Sequence, residues 1–463
     1  MTQTASSWER IAGPALALFG FALSAYAFWP GIFTPDSLDQ FAQARTGAFE
    51  DWHPPIMSAL WFVFERVHDG PELLFLAHMG LFWGGAWAIG DGLRRAGWKY
   101  GALFPLIGLL PFVFNFIGLL WKDTALATAW IGAAGLAFRR RAAGEKLSGI
   151  EHSAIWLAFL YGALVRSNTI FAAAPLALYL LNGDLFSRKL WPQLVACVLT
   201  PALLLAASSG LNAALRAEKE YPSTSLILFD LVAISQREHT NLVPGRWTPE
   251  QARLIPTCYK PDKWDYIGMP PCDFVTDGLD DQNLSGSPTL THAWLTAVLA
   301  HPGDYLGHRL AFTNQIMRWL GPIPVHDSYM ETEVTEARFK NHPNALFYFY
   351  ERICGALDST PLFRPYFWLL AALGALSSAW FAEASPQRTF AAALTASALI
   401  YLLTYIPFGV ASDFRYSYWS IVATLAASWT LCACTWKTRA RLYAPLGVSA
   451  GVTMLAIAIS AFS

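Results

Sequence analysis

The chain has 463 residues, of which 54% are hydrophobic and only 14% are charged, and its formal net charge is −1. A soluble domain rarely combines so little charge with 20 tryptophans. The small net charge predicts neither a nucleic-acid partner nor a strongly basic surface. Long apolar runs separated by short polar turns instead indicate an all-α, polytopic membrane protein.

Eleven apolar runs are candidate membrane spans. The first run is long enough to remain in the bilayer as an anchor, and no small-residue cleavage site ends a shorter core. We therefore predict about eleven transmembrane helices, at residues 11–30, 72–92, 101–119, 121–138, 152–165, 168–182, 190–212, 364–382, 389–408, 417–435 and 443–462.

Basic residues between these runs predict the sidedness of the loops. Lysine and arginine prefer cytoplasmic loops, and an even number of predicted spans separates each neighbouring pair of basic clusters. The N-terminus is therefore predicted to be cytoplasmic and the C-terminus external. The basic residues are Arg94, Arg95, Lys99, Arg139, Arg140, Arg141, Lys146, Arg188, Lys189, Arg388, Lys437, Arg439 and Arg441.

The first external loop is predicted at residues 31–71 and contains "FTPDSLDQFAQARTGAFEDWHPP" at 33–55. The apolar stretch from Pro55 to Val67 follows. At 1.5 Å per residue, a helix over this stretch is about 20 Å long, which is too short to cross a bilayer comfortably. We expect it to lie along the outer surface of the membrane.

Three further charged turns fall on the same external side by the same parity. They are "LLWKDTA" at 119–125, "LVRSNTI" at 164–170 and "ASDFRYSYWS" at 411–420. Ionisable groups near the hydrocarbon region are costly and usually face a polar cavity. Ordinary interfacial charges are the alternative for any one of them, but four charged regions on one face favour a shared cavity.

A long polar segment at 213–362 follows the predicted seventh span. It is predicted to be external and of mixed structure, between an N-terminal transmembrane module at 1–212 and C-terminal helices at 363–463. An amphipathic helix is predicted at 289–320, with a break before Pro302. An oxidising compartment would permit a disulfide between Cys258 and Cys272, and two unpaired buried thiols are the alternative.

The order and sidedness of these motifs resemble the GT-C superfamily of integral-membrane glycosyltransferases. The likeness is closest to bacterial members related to protein mannosyltransferases and lipid A aminoarabinose transferases, over about residues 8 to 215. It rests on the early acid in "TPDSLDQ", on "HPP", and on "WKDTA" and "VRSNTI" at outer turns. The resemblance implies a GT-C fold in a bacterial inner membrane, with the active site facing the periplasm or exterior.

The resemblance also implies a reaction. Such enzymes take a sugar from a polyprenyl-phosphate carrier and pass it to an acceptor. The acceptor that the resemblance implies is an unidentified envelope glycan, lipid or protein, and membrane lipids are expected as further partners. A carboxylate can accept the proton of the acceptor hydroxyl, and fixed cations can stabilise the leaving phosphate.

The position that matches the family's acidic residue is Asp36, which is the predicted base. Many relatives carry two neighbouring acids there, but the nearest second acid in this chain is Asp39. No metal ligand is therefore assigned and no cofactor is certain, although a divalent metal stays open. A helix-capping role is the alternative for Asp36.

The remaining site residues are predicted from the outer turns. Those expected to bind the donor phosphate are Lys122, Arg166, Arg415 and His53, and a structural cap is the alternative for His53. Those expected to contact the substrate are Asp39, Asn168, Tyr416 and Tyr418. Asp123 is expected to pair with Lys122 or to cap a helix.

Two other classes of membrane protein stay open. A lipid or solute transporter often shows internal repeats and broken spans at the midplane, and no convincing repeat is present. A polysaccharide polymerase or ligase would place its arginine and histidine residues in a late external loop. The stretch "HRLAFTNQIMRW" at 308–319 keeps this second alternative open.

Overall fold

A computed structural model of the protein describes residues 7–320 and 336–435. All regular secondary structure in these two ranges is helical, so the predicted all-α class is confirmed at this level. The described part of the segment at 213–362 is also helical rather than mixed. The predicted eleventh span at 443–462 and the basic residues from Lys437 to Arg441 lie outside the described ranges.

Eighteen α-helices occur in the described ranges. The first nine are α1 (Ser7–Phe28), α2 (Pro35–Thr46), α3 (Ile56–Glu65), α4 (Glu72–Arg95), α5 (Pro111–Ile117), α6 (Lys122–Ala142), α7 (Gly149–Leu164), α8 (Thr169–Leu180) and α9 (Leu190–Leu215). The next five are α10 (Ser223–Glu238), α11 (Pro249–Leu254), α12 (Phe274–Asp281), α13 (Pro288–Ala300) and α14 (Pro302–Met317). The last four are α15 (Ala345–Leu357), α16 (Pro365–Phe381), α17 (Pro386–Phe408) and α18 (Tyr418–Leu431).

The described residues divide into two compact units. The first unit contains the chain up to Glu218 together with residues 336–402 and 415–435, and the second contains Lys219 to residue 320 together with Leu403–Phe414. The second unit is therefore shorter than the predicted external segment. Helix α15 belongs to the first unit, where the Tyr350 hydroxyl donates to the Leu109 carbonyl at 2.9 Å.

Four described helices, α1, α4, α9 and α17, are long and apolar enough to cross a membrane. A fifth candidate is a bent pair, formed by a 3-10 helix at Lys99–Leu109 and by α5, with an angle of 65° between them. The predicted span at 101–119 is thus broken at Leu110, which is extended (ψ 136°) because Pro111 follows it. A multi-pass membrane protein is supported, and the count of eleven spans stays a prediction.

Helices α4 and α6 approach each other backbone to backbone. A Cβ atom added to Gly85 on α4 would lie 2.6 Å from the Ile131 carbonyl oxygen, and one added to Gly135 on α6 would lie 2.6 Å from the Gly85 carbonyl oxygen. Small residues permit such close helix packing where the surroundings are apolar. The contact fixes α6, and the first residue of α6 is the predicted phosphate ligand Lys122.

The second unit is built around α10, whose Asp230 is completely buried. The Asp230 carboxylate pairs with Arg309, lies 3.0 Å from His308 Nε2, and accepts a 2.8 Å hydrogen bond from Trp294 Nε1. A buried charge is tolerated when it is paired and hydrogen-bonded in this way. Cys258 and Cys272 form a disulfide in the same unit, the pairing expected from the sequence.

The glycine contact between α4 and α6 gives a stability prediction. Gly85→Ala should lower the free energy of unfolding by about 1–3 kcal/mol, because the added methyl group overlaps the Ile131 carbonyl. The adjacent Gly84 is the matched control, since it is exposed and a Cβ there meets nothing within 4 Å. Gly84→Ala should be neutral or slightly stabilising. Tryptophan fluorescence during thermal unfolding in detergent measures both, and equal midpoints would contradict the packing.

Candidate site around Asp36

Asp36 is placed by a short pairing of two backbone segments. The Ile32 amide donates to the Gly118 carbonyl at 3.0 Å, and the Leu120 amide donates to the Ile32 carbonyl at 3.1 Å. The segment that leads into α2 therefore lies beside the segment that leads into α6. This pairing brings Asp36, in the first turn of α2, next to Lys122, the first residue of α6.

Thr34, and not Asp36, caps helix α2. The Ser37 amide donates to Thr34 Oγ1 at 3.3 Å, and the Thr34 amide donates to Ser37 Oγ at 2.7 Å, which is a reciprocal capping box. Trp121 Nε1 also donates to Thr34 Oγ1, at 2.5 Å. The Asp36 carboxylate is therefore left for other partners.

Two cations share one oxygen of Asp36. Lys122 Nζ lies 3.4 Å from Asp36 Oδ2, and Arg415 Nη1 lies 3.3 Å from the same atom. The second oxygen, Oδ1, lies 3.9 Å from His53 Nε2, which is too long for a hydrogen bond. The partners His53, Lys122 and Arg415 come from three segments that are far apart in the sequence.

His53 is bonded to Lys122. The Lys122 ammonium donates to His53 Nδ1 at 2.7 Å, and because an ammonium group cannot accept, Nδ1 must carry the lone pair. The neutral ring then holds its proton on Nε2, which faces Asp36. His53 does not cap α3, because Pro55 occupies the N-cap position. The capping alternatives for both Asp36 and His53 are thus replaced by contacts within one cluster.

The ring of Tyr416 contacts both arginines. Its ring is 4.7 Å from the Arg166 guanidinium carbon and 5.3 Å from that of Arg415. Arg415 also covers the Trp121 ring at 4.4 Å. Aromatic faces attract cations, so these rings hold the two guanidinium groups in place. The predicted substrate contact Tyr416 is thus also a support for the predicted phosphate ligands.

Asp123 forms an ion pair with Arg166, whereas the sequence predicted a pair with Lys122 or a helix cap. Its side chain is only 2% exposed, and one of its carboxylate oxygens contacts Arg166 Nη1. The Tyr401 hydroxyl donates to the same oxygen at 3.2 Å. Asp123 is the residue after Lys122, so α6 contributes one ion to each half of the cluster.

The cluster carries more positive than negative charge. Lys122, Arg166 and Arg415 are three cations, whereas Asp36 and Asp123 are two carboxylates, so these five side chains sum to +1. Burial raises the pKa of the Asp36 carboxyl, but the charges of Lys122 and Arg415 outweigh burial and hold that pKa well below its usual range. Asp36 is therefore ionised at any physiological pH.

The histidine is held neutral. Burial, followed by the charge of Lys122, lowers the pKa of the His53 imidazole from 6.5 to about 3, although the Asp36 carboxylate opposes the shift. The ring therefore acts as a dipole between Lys122 and Asp36 and adds no charge to the cluster at neutral pH.

The other three predicted substrate contacts are bonded to groups outside this cluster or lie at a helix end. Asp39 is exposed and accepts a 2.9 Å hydrogen bond from Gln43 Nε2. Tyr418 is completely buried, and its hydroxyl donates to the Val113 carbonyl at 3.2 Å. Asn168 is half-buried at the N-cap of α8. Their substrate contacts stay predictions.

Sequence reasoning did not identify Thr34, Trp121 or Tyr401 as parts of this arrangement. Trp121 and Thr34 could have been found from the sequence, because they stand directly before "KD" and "PD", which contain charged residues of the cluster. Nothing in the sequence placed Tyr401, which lies 278 positions from Asp123.

The described residues also contain a group of three metal-type ligands. Glu238, His301 and Asp304, in the second unit, have ligand atoms within 4.8 Å of one another. Within the described ranges no such group includes Asp36 or Asp39. The ion cluster offers Asp36 two cations as partners, which is an arrangement suited to an anion.

No protein-family model, curated protein or solved structure matches the chain.

The neutral His53 gives a pH prediction. Between pH 6.5 and about 3 the imidazole is protonated in the unfolded chain but not in the folded chain, so the stability it contributes above pH 6.5 is lost as the pH falls. One proton corresponds to at most about 1.4 kcal/mol per pH unit. His53→Gln keeps an acceptor but cannot titrate, so its unfolding midpoint should fall less than that of the unsubstituted protein between pH 7 and pH 5.

The matched control is His68→Gln, because the side chain of His68 is 54% exposed. Tryptophan fluorescence gives the midpoints at each pH. An equal pH dependence in the unsubstituted protein and in His53→Gln would contradict the neutral assignment.

Proposed function

We propose that the protein is an integral-membrane glycosyltransferase of the GT-C type. It moves a sugar from a polyprenyl-phosphate donor to an acceptor hydroxyl at the external face of the membrane, with inversion at the anomeric carbon. The observation that carries this proposal is the convergence of Lys122 and Arg415 on the ionised carboxylate of Asp36. Arg166 is linked to Arg415 through the ring of Tyr416, which both guanidinium groups contact.

The cations suit a phosphate group. Arginine presents a planar fork that matches phosphate oxygens, and lysine acts as a point charge beside it. Arg415 and Lys122 already converge on one carboxylate oxygen, Asp36 Oδ2, so a phosphate oxygen near that atom would meet both donors. Arg166 is held nearby through Tyr416.

The carboxylate suits the acceptor. Asp36 Oδ1 lies on the side of His53, 3.9 Å from Nε2, and is the oxygen that would take the proton of an acceptor hydroxyl. The acceptor oxygen then bonds to the anomeric carbon as the bond from that carbon to the phosphate oxygen breaks. The lipid phosphate leaves with the electron pair, and the cations stabilise its charge.

Donor binding would make Asp36 a better base. In the resting cluster its low pKa reflects the nearby charges of Lys122 and Arg415, and a strongly stabilised carboxylate is a weak base. A phosphate group bound to the same cations would offset their positive charge. The pKa of Asp36 should then rise towards its ordinary value. Proton abstraction is then favoured only when the donor is present.

Asp36→Asn tests the catalytic role. The amide keeps the shape but removes charge and basicity, so sugar transfer from a polyprenyl-phosphate donor should fall by about 100-fold or more. Asp39→Asn, on the same helix but exposed, should reduce transfer far less, because the Asp39 carboxylate accepts a hydrogen bond from Gln43. A fully active Asp36→Asn protein would refute the assignment, and loss of unsubstituted activity on adding a chelator would recast Asp36 as a metal ligand.

Arg415 tests the donor site. Arg415→Ala should weaken binding of a polyprenyl-phosphate donor by about 2–5 kcal/mol, and Arg415→Lys should weaken it less because the charge remains. Arg352→Ala is the control, because Arg352 is an exposed arginine of the same unit. Arg166 is tested with the double variant Arg166→Met, Asp123→Asn. Replacing both residues avoids leaving the buried Asp123 carboxylate without its partner. Unchanged donor affinity at both arginines would rule out the phosphate site.

A further inference from the structure

Helices α13 and α14 of the second unit expose a set of leucines. Leu295 and Leu299 on α13 are 47% and 79% exposed, and Leu306 and Leu310 on α14 are 58% and 69% exposed. In each helix the two leucines are four residues apart, so they lie on one face. Exposed apolar faces of this kind mark contacts with proteins or membranes.

The buried face of α14 is bonded to the end of a candidate membrane span. Arg309 Nη1 donates to the Gly409 carbonyl at 2.8 Å, and Gly409 directly follows the last residue of α17. The ring of Phe312 also lies against Gly409, because a Cβ added there would be 2.5 Å from Phe312. Helix α14 is therefore attached directly to the point where α17 ends.

The end of α17 is itself apolar and exposed. Leu403 and Phe408 belong to the same unit as α14 and are 44% and 52% exposed. Since α17 is long and apolar enough to cross a membrane, these side chains belong at lipid depth or at its boundary. One and the same unit thus contains the end of a span and a pair of helices with exposed leucines.

We propose that the leucine face formed by Leu295, Leu299, Leu306 and Leu310 contacts the lipid surface at the end of α17. The occupant is the headgroup and upper acyl-chain region of the bilayer. Amphipathic helices at this boundary bury their apolar face about 5–10 Å into it. The hydrogen bond from Arg309 to Gly409 holds the face at the level where α17 leaves the hydrocarbon. The proposal needs α17 to cross a membrane, but it does not depend on the glycosyltransferase reaction.

The first experiment uses the unsubstituted chain in nanodiscs of phosphatidylcholine. An apolar diazirine reagent that partitions into the lipid is photolysed, and mass spectrometry maps the labelled peptides. The peptides with Leu299 and Leu306 should be labelled like those of α9, whose Leu203 is 66% exposed. Labelling no higher than that of the α11 peptide with the exposed Glu250 would overturn the proposal.

The second experiment gives residue resolution. Single cysteines carrying a bimane fluorophore are compared in nanodiscs whose acyl chains are brominated near the headgroup. Leu299→Cys and Leu310→Cys should be quenched several-fold more than Glu250→Cys, and at least as much as Leu203→Cys, which lies near the middle of the candidate span α9 and farther from the bromines. The background replaces Cys197, Cys354, Cys432 and Cys434 and keeps the Cys258–Cys272 disulfide.

The same labelled variants also distinguish the lipid surface from water or protein as the neighbour of the leucine face. A fluorophore at Leu299 that is quenched by aqueous iodide instead of brominated lipid indicates a face in water. One that is shielded from both quenchers indicates a second copy of the chain or another protein. Either result contradicts the lipid contact.

Discussion

The backbone pairing of Ile32 with Gly118 and Leu120 is the constraint on which the candidate site depends. It joins the entrance of α2 to the entrance of α6 and so sets Asp36 beside Lys122. The glycine packing of α4 against α6 then fixes the second of these helices. Ionised groups that are largely buried are stable only when their partners are held at the right distance, and the two backbone contacts supply that rigidity. The cluster is therefore a property of the fold and not of one loop.

The sequence predicted the helical class, the membrane character and the convergence of four charged regions. The convergence followed from parity, because basic clusters assigned the same side to "TPDSLDQ", "WKDTA", "VRSNTI" and "DFRYSYW". The structure brings Lys122 and Arg415 to Asp36 and links Arg166 to Arg415 through Tyr416. The placement of these regions on one side of a membrane stays a prediction. Periodicity cannot report which carboxylate faces which cation, and for this reason the pairing of Asp123 with Arg166 was not foreseen.

Three structural details did not follow from the sequence patterns. The run at 101–119 reads as one apolar helix, but the proline at 111 forces Leu110 to be extended and breaks it. The capping of α2 by Thr34 could have been read from "TPDS", since serine three residues on completes a capping box. The attachment of α15 to the first unit depends on long-range contacts such as Tyr350 with Leu109, which no local pattern predicts. The stretch at 308–319 that keeps the ligase alternative open begins with His308 and Arg309, and both are buried beside Asp230. This alternative stays a prediction.

The central claim is that the cations around Asp36 bind a lipid-linked phosphate. An electron cryomicroscopy map of the protein in nanodiscs with a polyprenyl phosphate tests it most directly. The account predicts phosphate density within hydrogen-bond reach, about 3 Å, of Lys122 and Arg415. It also predicts that Arg166 remains in contact with the ring of Tyr416. A phosphate bound elsewhere, with the contacts of Asp36 to Lys122 and Arg415 unchanged, would contradict it.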